Sequence, residues 1–164
     1  MVFHKHKINI VIVGANSNVA RILEFYFNKI DNVFLNLYTT NKNKIELFSN
    51  SYLCGNYEIF EGYSSDLVKN ADILINCVGV GTPKQLGNDY TPWFTVLEQF
   101  DNMCIDYLKY NSNTTYINFS SGTVYGNDFS QAVDSKSSTS INVNKFGVDN
   151  LYSTCKIYSE AKHR

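Results

Sequence analysis

The chain has 164 residues, 44% of them hydrophobic and 18% charged, which suits one domain with a core of ordinary size and is short for two. With 14 Lys and Arg against 15 Asp and Glu, the net charge is −1 and the basic residues are scattered, so neither a nucleic-acid footprint nor an anionic-membrane surface is written into the charge pattern. Cys54, Cys77, Cys104 and Cys155 stand far apart with no Cys-x-x-Cys pair, which argues against zinc or redox motifs and for reduced thiols in a cytoplasmic protein.

Ahead of the first element, His4 and His6 flank Lys5; a metal site there would need further ligands, so a basic terminus and no metal are expected. Residues 7–14 form a β-branched run ending in Gly14, as in a strand buried on both faces, and the run is too short to span a bilayer. Asn18 to Asn28 reads as a helix with Val19, Ile22, Leu23 and Phe27 on the apolar side and Arg21 and Glu24 opposite. Val33 to Tyr38 is a second strand, followed by a polar turn at 39–43 and a short helix from about Lys44 to Phe48. Tyr57 to Phe60 is a weaker third strand, Ser65-Asp66 starts a short helical turn, and 71–79 is a fourth, buried strand. Thr91 to Tyr110 carries Trp93, Val96, Leu97, Phe100, Cys104 and Leu108 at helical intervals, with Pro92 in the first turn. Residues 115–121 supply a fifth strand, a Ser- and Asn-rich loop spans about 127–148, and Asp149 or Asn150 caps a last helix through Lys162. The alternation predicts an α/β fold, a Rossmann-type doubly wound parallel sheet of about five strands, with ligands beyond the carboxyl ends of the strands.

Two segments can carry chemistry. The turn Gly14-Ala-Asn16-Ser17-Asn18-Val19-Ala20 lies between a strand and a helix, where the first glycine makes the turn and the helix N-terminus faces a pyrophosphate. Ser17 replaces a second glycine, so its Cβ holds phosphate slightly away while its hydroxyl offers a donor. Near the end, Tyr152 and Lys156 are spaced i, i+4, which puts phenol and ammonium on one helix face. The lysine charge favours the phenolate and makes Tyr152 a usable general acid/base. Ser120 and Ser121 leave the fifth strand at the binding edge, where a serine can steady a substrate oxygen.

The combination FSSGTVYG, then YSTCK, then SEA resembles the extended short-chain dehydrogenase/reductases, in particular the NAD-dependent epimerase/dehydratase group that acts on nucleotide sugars. The resemblance runs from the first strand to the last residue. It implies Ser121, Tyr152 and Lys156 as the catalytic set, with Thr123 as the alternative to Ser121 and Lys156 also holding the nicotinamide ribose. It implies cofactor contacts from Gly14, Asn16, Ser17, Asn18, Val19, Thr39, Thr40, Val78, Gly79 and Asn102, and places Cys77 in the stretch beneath the cofactor. A nucleotide-sugar substrate and a role in surface polysaccharide synthesis follow by the same analogy.

The sequence departs from that pattern in two respects. The second strand ends Tyr38-Thr-Thr-Asn-Lys42 without the Asp or Glu that takes the adenosine ribose, so NAD and NADP both remain open, and Tyr63 stands near the place of a second acidic residue. The chain also stops at Arg164, inside the helix of Tyr152. The expectation is a C-terminally truncated NAD(P)-binding domain, 1–164, lacking the substrate-binding part, with an unpaired edge strand that promotes dimerisation or limits solubility. The alternatives are a non-catalytic dinucleotide-binding or regulatory module and an inactive fragment.

Overall fold

The computed structural model describes residues 7–49, 56–62, 70–79, 89, 91–125, 132–134, 136–137 and 148–164. The expectations for His4, His6, Cys54, Tyr63, the Ser65-Asp66 turn and most of the 127–148 loop lie outside these residues. The elements are β1 (Ile8–Val13), α1 (Asn18–Phe27), β2 (Val33–Thr39), α2 (Lys42–Ser49), β3 (Tyr57–Glu61), β4 (Ile73–Asn76), α3 (Thr91–Tyr110), β5 (Thr115–Asn118), a 3-10 turn (Gly122–Tyr125) and α4 (Val148–Lys162). No helix among the described residues is long and apolar enough to cross a membrane.

All strand pairings are parallel, in the order β3-β2-β1-β4-β5. The chain builds outward from β1 to β3, then returns to the other side of β1 for β4 and β5, which makes the carboxyl ends of β1 and β4 the switch point where such sheets take ligands. This is the expected Rossmann-type α/β fold. Ile10, Val11, Ile12 and Val13 are at most 2% exposed, as a central parallel strand covered on both faces requires. One core cluster joins Ile10, Ile12, Leu35, Leu37, Ile45 and Ile75 with Ala15 and Ala20.

Chain contacts divide the protein into two compact units, Met1–Gly79 with Gln99–Phe119, and Val80–Glu98 with Ser120–Arg164. The first holds the sheet. The second holds the start of α3, the 3-10 turn and α4.

Element boundaries differ modestly from the sequence reading. β4 ends at Asn76 and β5 at Asn118, and α2 starts at Lys42 directly behind β2. α4 begins at Val148, so Asp149 and Asn150 fall inside its first turn. A larger difference concerns α1. Ala20 and Glu24 are fully buried, while Val19, Ile22, Phe25 and Tyr26 are exposed, Ile22 at 59% and Tyr26 at 62%. Ala20, in the first turn of α1, belongs to the core cluster, and Glu24, one turn later, lies inward with it, while Leu23 and Phe27 pack partly buried against the same cluster, as the periodicity predicts. Lys29 lies over the Phe25 ring at 3.7 Å and so covers part of the exposed aromatic surface.

Candidate functional site

In the first unit the glycine turn is defined by backbone. Gly14 has φ +76°, in the left-handed region, and a Cβ there would stand 2.8 Å from both N and Cα of Val78. Only glycine lets the turn close on the residues that continue β4. The N–H groups of Gly14 and Ala15 both donate to Tyr38 O at 3.0 Å, and Ser17 N–H returns to Gly14 O at 2.9 Å, which ties the turn to the end of β2. Ser17 is the N-cap of α1, its Oγ accepting from Ala20 N–H at 3.1 Å. The hydroxyl proton is not consumed by that bond. The first turn of α1 contains no acidic residue, so the positive end of the helix is uncompensated there. Asn18 and Val19 are exposed at this helix start.

Asn16 links the turn to the end of β2. Its Nδ2 donates to Thr39 Oγ1 and to Asn41 O, the latter at 3.0 Å. Because a carbonyl only accepts, the bond to Asn41 O fixes which end of the amide is nitrogen. Asn16 Oδ1 is therefore the enclosed end, and it has no hydrogen-bond partner among the described residues. A buried acceptor without a donor costs about 1–3 kcal/mol. Thr39 is 1% exposed, with its hydroxyl taken up by Asn16 and Asn41, whereas Thr40 is exposed. Asn41 Oδ1 accepts from Lys44 N–H at 3.3 Å at the start of α2. Glu61 pairs with Thr39 across β2 and β3, and its Oε1 accepts from Lys42 N–H at 3.2 Å.

Asn76, which the sequence reading passed over, organises the end of β4. It is 2% exposed. Its Oδ1 accepts from Val78 N–H at 3.2 Å, and its Nδ2 donates to Asp101 Oδ1 at 3.1 Å and to Tyr116 OH at 3.4 Å. The stretch Cys77-Val78-Gly79 thus leaves the sheet under side-chain control. Asp101 is buried and Asn102 exposed, so it is the neighbour of Asn102 that reaches β4. Burial, with the Asp101 charge adding to it, pushes the Cys104 thiol up to about 12, and burial likewise raises Tyr116. The signal for this network was a polar Asn closing an apolar run and an Asp on the apolar side of α3.

In the second unit, α4 carries Tyr152 and Lys156 one turn apart. Tyr152 is partly exposed, and its ring meets Trp93 edge-on with centroids 4.9 Å apart. Trp93 is 2% exposed, and its Nε1–H has no hydrogen-bond partner among the described residues. Lys156 is 6% exposed. Burial pushes the neighbouring Cys155 thiol up to about 11, opposed by a backbone hydrogen bond and by the Lys156 charge. The 3-10 turn packs against α4. At its start, Ser121 Oγ accepts from Thr123 N–H at 3.4 Å and from Thr123 Oγ1–H at 3.1 Å. The two serine/threonine candidates are therefore one hydrogen-bonded pair, in which Ser121 keeps its own O–H to donate elsewhere. Cys77, Cys104 and Cys155 are free thiols.

No protein-family model matches the chain. No curated protein matches it either. Solved structures do. UDP-glucose 4-epimerase from Bifidobacterium longum, in complex with NAD+ and UDP, superposes with a TM-score of 0.73 at 15% identity, covering 93% of this chain and 47% of that one. UDP-glucuronic acid 4-epimerase from Bacillus cereus, in complex with UDP-glucuronic acid and NAD, gives 0.71 at 16% identity, covering 94% and 51%. The fold is that of the NAD-dependent UDP-sugar epimerases. UDP-Glc/GlcNAc 4-epimerase from Campylobacter jejuni has a TM-score of 0.66 at 16% identity, covering 94% and 47%. The chain spans about half the length of these structures.

Proposed function

We propose that the chain binds a nicotinamide dinucleotide and belongs to the epimerase/dehydratase type of short-chain dehydrogenase/reductase, acting on a nucleotide sugar. The observation that carries this reading is the turn at Gly14, closed on Val78 where a Cβ would be 2.8 Å from its backbone, with the uncompensated start of α1 behind it and an enclosed acceptor on Asn16. Those features fit a dinucleotide: the helix start and the Ser17 hydroxyl suit pyrophosphate, and an acceptor suits a ribose hydroxyl. Gly14, Asn16, Ser17, Asn18, Val19, Thr39, Thr40, Val78 and Gly79 are the proposed contacts in the first unit, with Asn102 in a lesser role.

In the second unit Tyr152 is the proposed general base for a sugar hydroxyl. Lys156 stands one turn away on the same helix, and Ser121 donates to the same sugar oxygen. A bound nicotinamide supplies the hydride acceptor. The Bifidobacterium longum and Bacillus cereus epimerase structures hold NAD with UDP or UDP-glucuronic acid, which makes a UDP-sugar the first substrate class to try and NAD the first cofactor, NADP remaining in the comparison. A cytoplasmic place in surface polysaccharide synthesis accords with such a substrate.

Calorimetric titration with NAD, NADH, NADP and NADPH, repeated on Lys156→Ala, tests the reading. Saturable binding weakened by the substitution is expected; no binding up to millimolar ligand, roughly −4 kcal/mol, overturns it. A second reading, a dinucleotide-binding module without catalysis, is favoured by Ser17 in place of a second glycine. It predicts binding that Lys156→Ala leaves unchanged.

A further inference from the structure

We infer that Asn16 is the residue that recognises the adenosine ribose of the dinucleotide, its Oδ1 accepting a hydrogen bond from a ribose hydroxyl in place of the acidic side chain that β2 lacks. The inference rests on the dinucleotide-binding reading above and deepens it by assigning cofactor specificity to one atom.

Three observations meet at this point. The end of β2 offers no carboxylate, and of the two hydroxyls there that of Thr39 is buried and already engaged, while Thr40 is exposed. Asn16, in the glycine turn, spends both Nδ2 hydrogen bonds on that same strand end, to Thr39 Oγ1 and Asn41 O. Its Oδ1 is left enclosed and without a donor among the described residues, while the residue as a whole remains partly exposed. A ribose diol is a donor of the kind that oxygen requires, and the amide is already oriented by bonds that any donor would leave intact.

Chemistry then separates the two cofactors. A 2′-phosphate replaces a donor with acceptor oxygens and negative charge, facing an amide oxygen and, across the strand end, the carboxylate of Glu61. The exposed Lys42 and Lys44 at the start of α2 oppose this, since either ammonium attracts a phosphate. The arrangement therefore predicts NAD over NADP, with the preference residing at Asn16 rather than in the surrounding charge.

The test is calorimetry on the full chain with NAD, NADP and NAD analogues lacking the 2′- or the 3′-hydroxyl of the adenosine ribose. The wild-type chain is expected to bind NAD about 5–10-fold more tightly than one of the deoxy analogues, the worth of one hydrogen bond, and more tightly than NADP. In Asn16→Ala, NAD falls to the level of that analogue and the discrimination flattens. Asn16→Asp, which keeps an acceptor at the position, retains the dependence on the hydroxyl and widens the gap to NADP; it carries the test if Asn16→Ala fails to fold. If wild type and Asn16→Ala discriminate equally, or if NADP binds more tightly than NAD, the inference is wrong while dinucleotide binding stands. If no dinucleotide binds to the wild type, both fall together.

Discussion

The glycine turn of the first unit and the Tyr152 helix of the second are specified in different ways. The turn is a backbone device: one residue at φ +76°, two N–H groups on Tyr38 O, and no room for a Cβ against Val78. The helix is a side-chain device, in which Tyr152 is set by an edge contact with Trp93 and Lys156 by burial. Backbone devices fail abruptly when one atom is added. Side-chain devices degrade in steps, according to how much of the ring or the charge is kept.

The largest expected effect follows from adding that atom. Gly14→Ala should cost roughly 2–5 kcal/mol, combining the left-handed penalty with overpacking against Val78, read as a lower urea midpoint with unchanged slope. Next comes Asn76→Ala, which takes one hydrogen bond from buried Asp101 and the acceptor from Val78 N–H; about 2–4 kcal/mol is expected in the same assay. A loss equal to that of an exposed substitution would show that the end of β4 is held by strand pairing alone.

The second unit can be read through its single tryptophan, Trp93. Its 2% exposure predicts blue-shifted emission. Tyr152→Ala should open the indole to water and shift the emission to the red, and Tyr152→Phe should not, because the ring contact survives. Equal spectra for all three chains would mean that Trp93 and Tyr152 do not pack as described.

Alkaline pH sharpens the comparison from within the first unit. Cys104 ionises at about 12 in the fold against an ordinary 9.0, so the unfolded chain gives up that proton first. Its contribution to stability is complete below about pH 9 and is lost as pH rises toward 12. Cys104→Ala should lower stability by its lost packing yet flatten the decline between those values, measured as urea midpoints against pH. An unchanged slope would place the thiol in contact with water. The smallest effect is expected at Ile22→Ser: at 59% exposure the change should stay within about 0.5 kcal/mol.

That last substitution marks where sequence reasoning fell short. The strands, their parallel pairing and the position of the Gly14 turn were legible because β-branched runs and a strand-turn-helix pattern are local signals, whereas the order β3-β2-β1-β4-β5 needed the structure. In α1, periodicity placed Leu23 and Phe27 on the core side, where they pack, but also Val19 and Ile22, which are exposed. Ala20 and Glu24 are the fully buried residues of that helix. The hydrogen-bond partners around the candidate site were not legible. Nothing in the linear order joins Asn16 to Thr39 and Asn41, or Asn76 to Asp101 across 25 residues. Trp93 read as helix packing, which it is; that it packs on Tyr152 needed coordinates.

The central claim, that the Gly14 turn is a dinucleotide site, is tested most directly by following backbone amide NMR signals of the labelled chain during NAD addition. Saturable shifts concentrated at residues 14–19 and 77–79 are predicted. Shifts confined to other parts of the chain, or none at millimolar NAD, would contradict it.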